Sequence, residues 1–274
     1  MRMAKFNFVS RAATTAFAVS VLSMAVLSGC ATPPAADDDD DTRAEWTQRN
    51  DPFEPMNRDI FAFNMAVDHA LLKPVAVAYR DYVPQYGRDR VHDLVENWRS
   101  PMIFANDVLQ GDPDRAVATL MRFAFNTGFG ALGLFDLAGS GIPFHETDLG
   151  STFAVWGVGE GPYLVLPVLG PSNPRDTVGM AIEWVVDPVD YRLDAVYGVW
   201  APLARGTIAG IDLREANLDG LDEVERTAID LYSTIRSLYR QHREAEIRHE
   251  PDLTPSPGLT TVPTTGPEIS QETR

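Results

Sequence analysis

The sequence predicts an all-α protein: a single domain of short amphipathic and apolar helices set around a Gly/Pro-rich centre. Three observations carry this. Apolar residues return at helical spacing in one segment after another, as in Val91, Leu94, Val95 and Trp98, which fall at i, i+3, i+4 and i+7. Proline, glycine and Asp-Pro pairs punctuate those segments closely, so the helices follow one another through short loops. There is no convincing sheet pattern, and Tyr163–Leu166 alone reads as a possible short strand. This order of elements suggests a compact all-α ring or bundle. With 274 residues there is enough chain to bury a core.

The first residues read as an address. Arg2, Lys5 and Arg11 flank the start of an apolar run, Ala12–Leu27, that ends in Leu27-Ser28-Gly29-Cys30. Residues 1–29 therefore read as a signal peptide. Its ending resembles the bacterial lipobox, in which a diacylglyceryl group joins the cysteine thiol before cleavage in front of it. Cys30 is then the lipidation site and, as the only cysteine, has no disulfide partner in this chain. Ala31 in place of aspartate favours the outer membrane under the enterobacterial sorting rule. Losing residues 1–29 removes three positive charges and no negative one, taking the formal net charge from −16 to −19. Such a surface repels nucleic acid and offers no electrostatic hold on anionic lipid. Acyl chains and apolar surface must do the holding. Residues 30–49, with consecutive aspartates from Asp37 to Asp41, read as an acidic disordered tether.

The domain proper spans residues 50–247 in this reading. Asp51-Pro52-Phe53-Glu54 fits a capping box, although Pro55 serves equally well as the first helical residue. The helix to Leu72 has too broad an apolar face for a surface helix and is too short to span a bilayer. Pro74 restarts a helix to Tyr82. Arg88–Trp98 and a helix opened by Pro101 follow, with Gly111 as C-cap. Asp112-Pro113 caps the next, which ends near Asn126. The centre, Asp148–Asp176, holds the run Pro162–Leu169, apolar on every side and interrupted by Pro167. It belongs in a core or part-way into a membrane. Helices follow at Thr177–Val186, Tyr191–Ala204, Ile211–Leu218 and Leu221–Ile247. The Pro/Thr-rich residues 248–274 read as a disordered tail.

Chemistry is sparse. Gly128–Gly133 matches G-x-G-x-x-G but follows a helix rather than a strand, so close backbone approach explains it better than a nucleotide. Ser151, His145 and Asp148 invite a hydrolase triad, yet no G-x-S-x-G elbow is present and an N-cap role suits Ser151 or Asp148 better. The histidines lack metal-ligand spacing, with His242 and His249 expected in solvent on the last helix. No metal, cofactor or enzyme activity is expected. Arg58, Arg122 and Arg175 lie in apolar stretches and need a carboxylate, a carbonyl or a phosphate. Asp59, Asp136 and Asp176 are the nearest acids.

Taken in order, several groups of residues resemble the MlaA (VacJ) family of outer-membrane phospholipid-transport lipoproteins. They include Asn50-Asp51-Pro52, Asn57-Arg58, Phe63-Asn64, Leu109-Gln110-Gly111, Arg122-Phe123 and Asn126-Thr127. Trp156-Gly157-Val158-Gly159, Gly161-Pro162-Tyr163, Gly170-Pro171-Ser172 and Arg175-Asp176 complete them. The resemblance covers about residues 50–190. Leu149, Phe153, Ala154 and Lys73 depart from the family's usual residues. The resemblance implies a ring-shaped protein, monotopic in the inner leaflet of the outer membrane, with an amphipathic channel through which phospholipid leaves toward the periplasm. It implies work alongside a trimeric porin and a periplasmic lipid-carrier protein, keeping the outer membrane asymmetric. Phe63, Asn64, Arg122, Asn126, Trp156, Tyr163 and Arg175 are the candidate channel residues. The rival readings are a passive porin-associated scaffold and a lipid hydrolase.

Overall fold

The computed structural model describes residues 50–249; Cys30, the expected leader and tether, and all but the first two residues of the expected tail lie outside it. The described chain is predominantly helical, with one small hairpin at its centre.

Helices α1 (Glu54–Val67) and α2 (Lys73–Tyr82) are joined without a break by a π-turn, Asp68–Leu72. Lys73 N–H reaches back to the Asp68 carbonyl, and this wider turn carries the helix past Pro74 instead of ending it. Glu54–Tyr82 is thereby 29 residues of helix, long and apolar enough to cross a bilayer by length and composition. The expectation of a run too short to span is corrected: Pro74 does not stop it. The capping box does not form either. Phe53 is the N-cap and makes no side-chain bond. The Asp51 carboxylate instead accepts from Asn57 Nδ2, the Tyr232 hydroxyl and Arg236 Nη1. A charge-assisted interior cluster outweighs a local cap, which contributes about 1 kcal/mol.

Helix α3 (Gln85–Gln110) is continuous where the sequence predicts two helices meeting at Pro101. That proline removes one backbone bond, but Val95 and Asn97 before it and Ile103 and Asn106 after it are buried. Packing on both sides holds the helix through. Gly111 closes it in the left-handed conformation, and Asp112 caps α4 (Pro113–Gly128) by accepting from Arg115 N at 3.0 Å. Both were legible.

The centre contains a helix the sequence reading lacks, α5 (Leu149–Val155), capped by Asp148, which accepts from Ser151 N at 2.7 Å. Next come β1 (Leu164–Leu166) and β2 (Gly170–Ser172), antiparallel with Val165 opposite Pro171. The suspected strand is real, and it has a partner. Asn64 of α1 pins the hairpin tip, donating to the Leu166 carbonyl at 2.9 Å and accepting from Val168 N at 2.7 Å.

Helix α6 (Pro174–Val186) crosses α5 so closely that a Cβ on Gly179 would lie 2.6 Å from Gly150 N. Then come α7 (Pro188–Tyr197) and α8 (Trp200–Ala216), the latter unbroken where a gap is expected after Ala204. The single terminal helix expected from Leu221 is two, α9 (Leu218–Thr227) and α10 (Leu231–Ile247), parted where Asp230 caps α10 through Ser233. Side-chain capping wins over continued apolar periodicity there.

The apolar core is small: Tyr163, Val165 and Tyr232, with Ile60, Phe61 and Tyr239 packed on them. Beside it Asn50 joins the first described residues to the last helix. Its carbonyl accepts from Tyr163 N and from Arg240 Nη2, both at 3.0 Å.

Candidate functional site

The distribution of polarity is the reverse of a water-soluble domain. Among the described residues nine apolar ones are buried, against nineteen polar or charged ones. Phe63, Phe129, Trp156, Trp184 and Trp200 are all more than half exposed. Buried polar groups are costly unless hydrogen-bonded, and here many are gathered into hydrogen-bonded clusters.

Asn57, with no exposed surface, donates to Asp51 and to the Tyr163 carbonyl and accepts from Val165 N, stitching α1 to the hairpin. At the other end of the hairpin the Asp176 carboxylate accepts from Arg175 Nε, Arg243 Nε, the Tyr239 hydroxyl and Asn173 Nδ2. A third cluster surrounds Arg122, which donates to Asp136 at 2.9 Å, to Glu96 at 3.2 Å and to the Ile142 carbonyl. Asn126 donates to Asp136 and accepts from Ala138 N.

The sequence-predicted residues therefore separate into two sets. Phe63 and Trp156 stand at the accessible surface. Arg122, Asn126, Tyr163 and Arg175 are buried within the clusters, and Asn64 holds the hairpin. The arginine partners are mostly as expected, Asp136 for Arg122 and Asp176 for Arg175. Arg58 instead pairs with Glu54 and Asp230 rather than Asp59, because α10 brings Asp230 across.

A cavity of about 260 Å³ opens between α3, α6, α7 and α8. Trp98, Met102 and Trp184 give it apolar walls, and Arg99, Glu183 and Arg205 give it polar ones. None of the predicted channel residues lines it. Sequence reasoning missed Glu183 and Arg205; their signal was a single charge inside a mostly apolar stretch, Met180–Val186 and Trp200–Ala209. Burial pushes the Glu183 carboxyl above the usual range, against the pull of hydrogen bonds from Asn106 and Leu149 N. Arg205 is fixed by Asp187 and Asp190, each at 2.6 Å, and donates to the Trp98 carbonyl.

Ser151 and His145 do not meet as a dyad. The Ser151 hydroxyl donates to Glu246, whereas His145 Nε2 lies 3.0 Å from Asp107. His249 is exposed, as expected, with its Nε2 3.2 Å from Gln110 Oε1 at the surface. Gly130 and Gly133 do mark close approach: a Cβ on Gly133 would sit 2.4 Å from Asn97 Nδ2.

His92 bridges Asp212 of α8 and Glu96 of its own helix, and those hydrogen bonds raise its pKa from 6.5 to about 10. A raised folded-state pKa means the stabilisation is complete below about pH 6.5 and is lost as pH climbs to about 10. Half of the ring is in solvent, so we expect about 1 kcal/mol. Denaturation midpoints should fall across that window in the native protein and stay flatter in His92→Gln.

The sequence model of the MlaA lipoprotein family matches residues 49–246. The Escherichia coli (strain K12) "Intermembrane phospholipid transport system lipoprotein MlaA" is 36% identical over 208 residues, covering 72% of this chain and 78% of that one. The Haemophilus influenzae protein of the same name is 29% identical over 238 residues, covering 85% and 91%. A solved structure described as "Structural basis for maintenance of bacterial outer membrane lipid asymmetry" is 34% identical, with a TM-score of 0.64 over 72% of this chain and 98% of that one. The motifs around Trp156 and Tyr163, the helical fold and these matches agree, and the chain belongs to the MlaA lipoprotein family.

Proposed function

We propose that this protein is an outer-membrane lipoprotein that takes phospholipid out of the outer membrane through an amphipathic channel and passes it to a periplasmic carrier, so maintaining lipid asymmetry. The observation that carries this reading is the reversed burial: polar clusters inside and large apolar side chains outside suit a body sunk in lipid. Its relatives bear the name of an intermembrane phospholipid transport system.

In this reading residues 1–29 are removed and Cys30 carries the acyl anchor. Residues 30–49 then form a tether and 248–274 a free tail, and the body lies as a ring in one leaflet, facing the periplasm. A monotopic position accords with α1 despite its length. Arg58 is tied to Asp230, Asn64 to the hairpin and Asp68 to Arg214 at 2.7 Å, so the helix is bound to the domain along its length. Phe63 and Trp156 face acyl chains, while Asn64, Arg122, Asn126, Tyr163 and Arg175 act on the channel by fixing its wall. A trimeric porin and a soluble lipid carrier are the protein partners.

Reconstitution tests this. The acylated protein in vesicles with labelled phospholipid should release label to the carrier, and vesicles without it should not. A protein that binds porin but moves no label is a scaffold, and the transport reading then fails.

A further inference from the structure

The loop that follows α4 joins three properties that the channel reading does not use. No charged residue lies between Arg122 and Asp136, and those two pair with each other at 2.9 Å, so the segment carries no net charge to its tip. Three of its side chains point away from the protein: Phe129 is 78% exposed and Leu132 70%, with Leu137 also more than half exposed, while Phe135 packs against Arg90. Its backbone N–H groups, by contrast, are turned inward. Ala131 aside, each N–H from Phe129 to Ala138 is bonded within the protein, among them Gly133 to the Asn126 carbonyl and Ala138 to Asn126 Oδ1. The Leu132 carbonyl accepts from Asn97 Nδ2.

A loop in water has no need of such closure, because water satisfies its backbone. In hydrocarbon an irregular segment is tolerated only when its polar groups are bonded internally. Ala131 and Leu132 also hold left-handed backbone, φ 54° and 63°, a conformation disfavoured for both residues. Asn97, which donates to the Leu132 carbonyl, and Asn126, which donates to Asp136, hold the loop from its buried side, and Leu132 is turned outward.

We infer that the Phe129–Leu137 loop is a membrane-inserting tip, whose Phe129 and Leu132 side chains lie among phospholipid acyl chains, and that Arg122, Asn126 and Asp136 are the buried brace holding it in that form. The inference rests on the membrane reading above and names one element that enters the lipid.

The test uses the acylated full chain, in which Cys30 offers no free thiol, carrying Leu132→Cys or Phe129→Cys labelled with an environment-sensitive fluorophore. Asp219→Cys, whose native side chain is 93% exposed, serves as reference. Each is bound to phosphatidylethanolamine/phosphatidylglycerol vesicles without porin, separated by flotation and quenched with acyl-chain doxyl lipid or with aqueous iodide. At positions 129 and 132 doxyl lipid should quench several-fold more effectively than iodide, and at 219 the order should reverse. Floating protein whose 129 and 132 labels answer to iodide overturns the tip while leaving the membrane reading intact. Labels that become dry only when a trimeric porin is added show a protein-docking loop and also overturn it. Protein that does not float overturns both.

Discussion

Asp176→Ala lowers the stability of the detergent-solubilised protein by about 3–5 kcal/mol, the usual result of stripping the partner from buried cations. The carboxylate accepts from Arg175 Nε and Arg243 Nε, both at 2.9 Å, from the Tyr239 hydroxyl at 2.7 Å and from Asn173 Nδ2 at 2.8 Å. It thus joins α6 and its capping residue Asn173 to α10 at one point. Burial opposes its ionisation, but the guanidiniums of Arg243 and Arg175 outweigh that and hold the carboxyl below its usual range. A depressed folded-state pKa contributes stability above the unfolded value and forfeits it as pH falls through the folded one. The native protein should therefore weaken on acidification below about pH 4, a dependence reduced in the variant. Denaturant midpoints measure both effects. A loss under about 1 kcal/mol would reduce the cluster to the level of a surface pair.

Arg122→Leu should have an effect of similar size, and its cause separates a brace from a channel lining. Removing the guanidinium leaves the Glu96 and Asp136 carboxylates and the Ile142 carbonyl facing a leucine in a site where Arg122 was 4% exposed. About 3–5 kcal/mol of stability goes with it, and the amount of protein in the envelope falls. Adding Asp136→Leu restores part of the loss, because an uncompensated charge is worse than an apolar pair. If Arg122→Leu accumulates normally and only lipid transfer fails, the side chain meets lipid directly and the brace is wrong.

What the sequence made legible follows the range of the interactions. Gly111, Asp112 and the cap at Asp148 act over three or four residues, and they stand where local rules put them. Pro74 and Pro101 were misleading because a π-turn and two-sided packing overrode a local breaker. Asp51 gave the wrong cap because its partners, Tyr232 and Arg236, are far away in sequence. The same limit governs the candidate site. An arginine in an apolar stretch announced that Arg122 has a partner, but not that the partner removes it from the surface. The cavity between α3, α6, α7 and α8 was not legible at all, since Trp98 and Glu183 meet only through helix packing.

The junction at Asn50 has a mechanical consequence. Its carbonyl is shared by Tyr163 N–H and the Arg240 guanidinium, so the first described residue is clasped by the hairpin and by α10 together. Tension on the chain ahead of Asn50 meets that clasp first, and with it the bond from Arg236 of α10 to Asp51, before it reaches α1. The chain entering at Asn50 is thus fastened to two elements distant in sequence rather than to α1 alone.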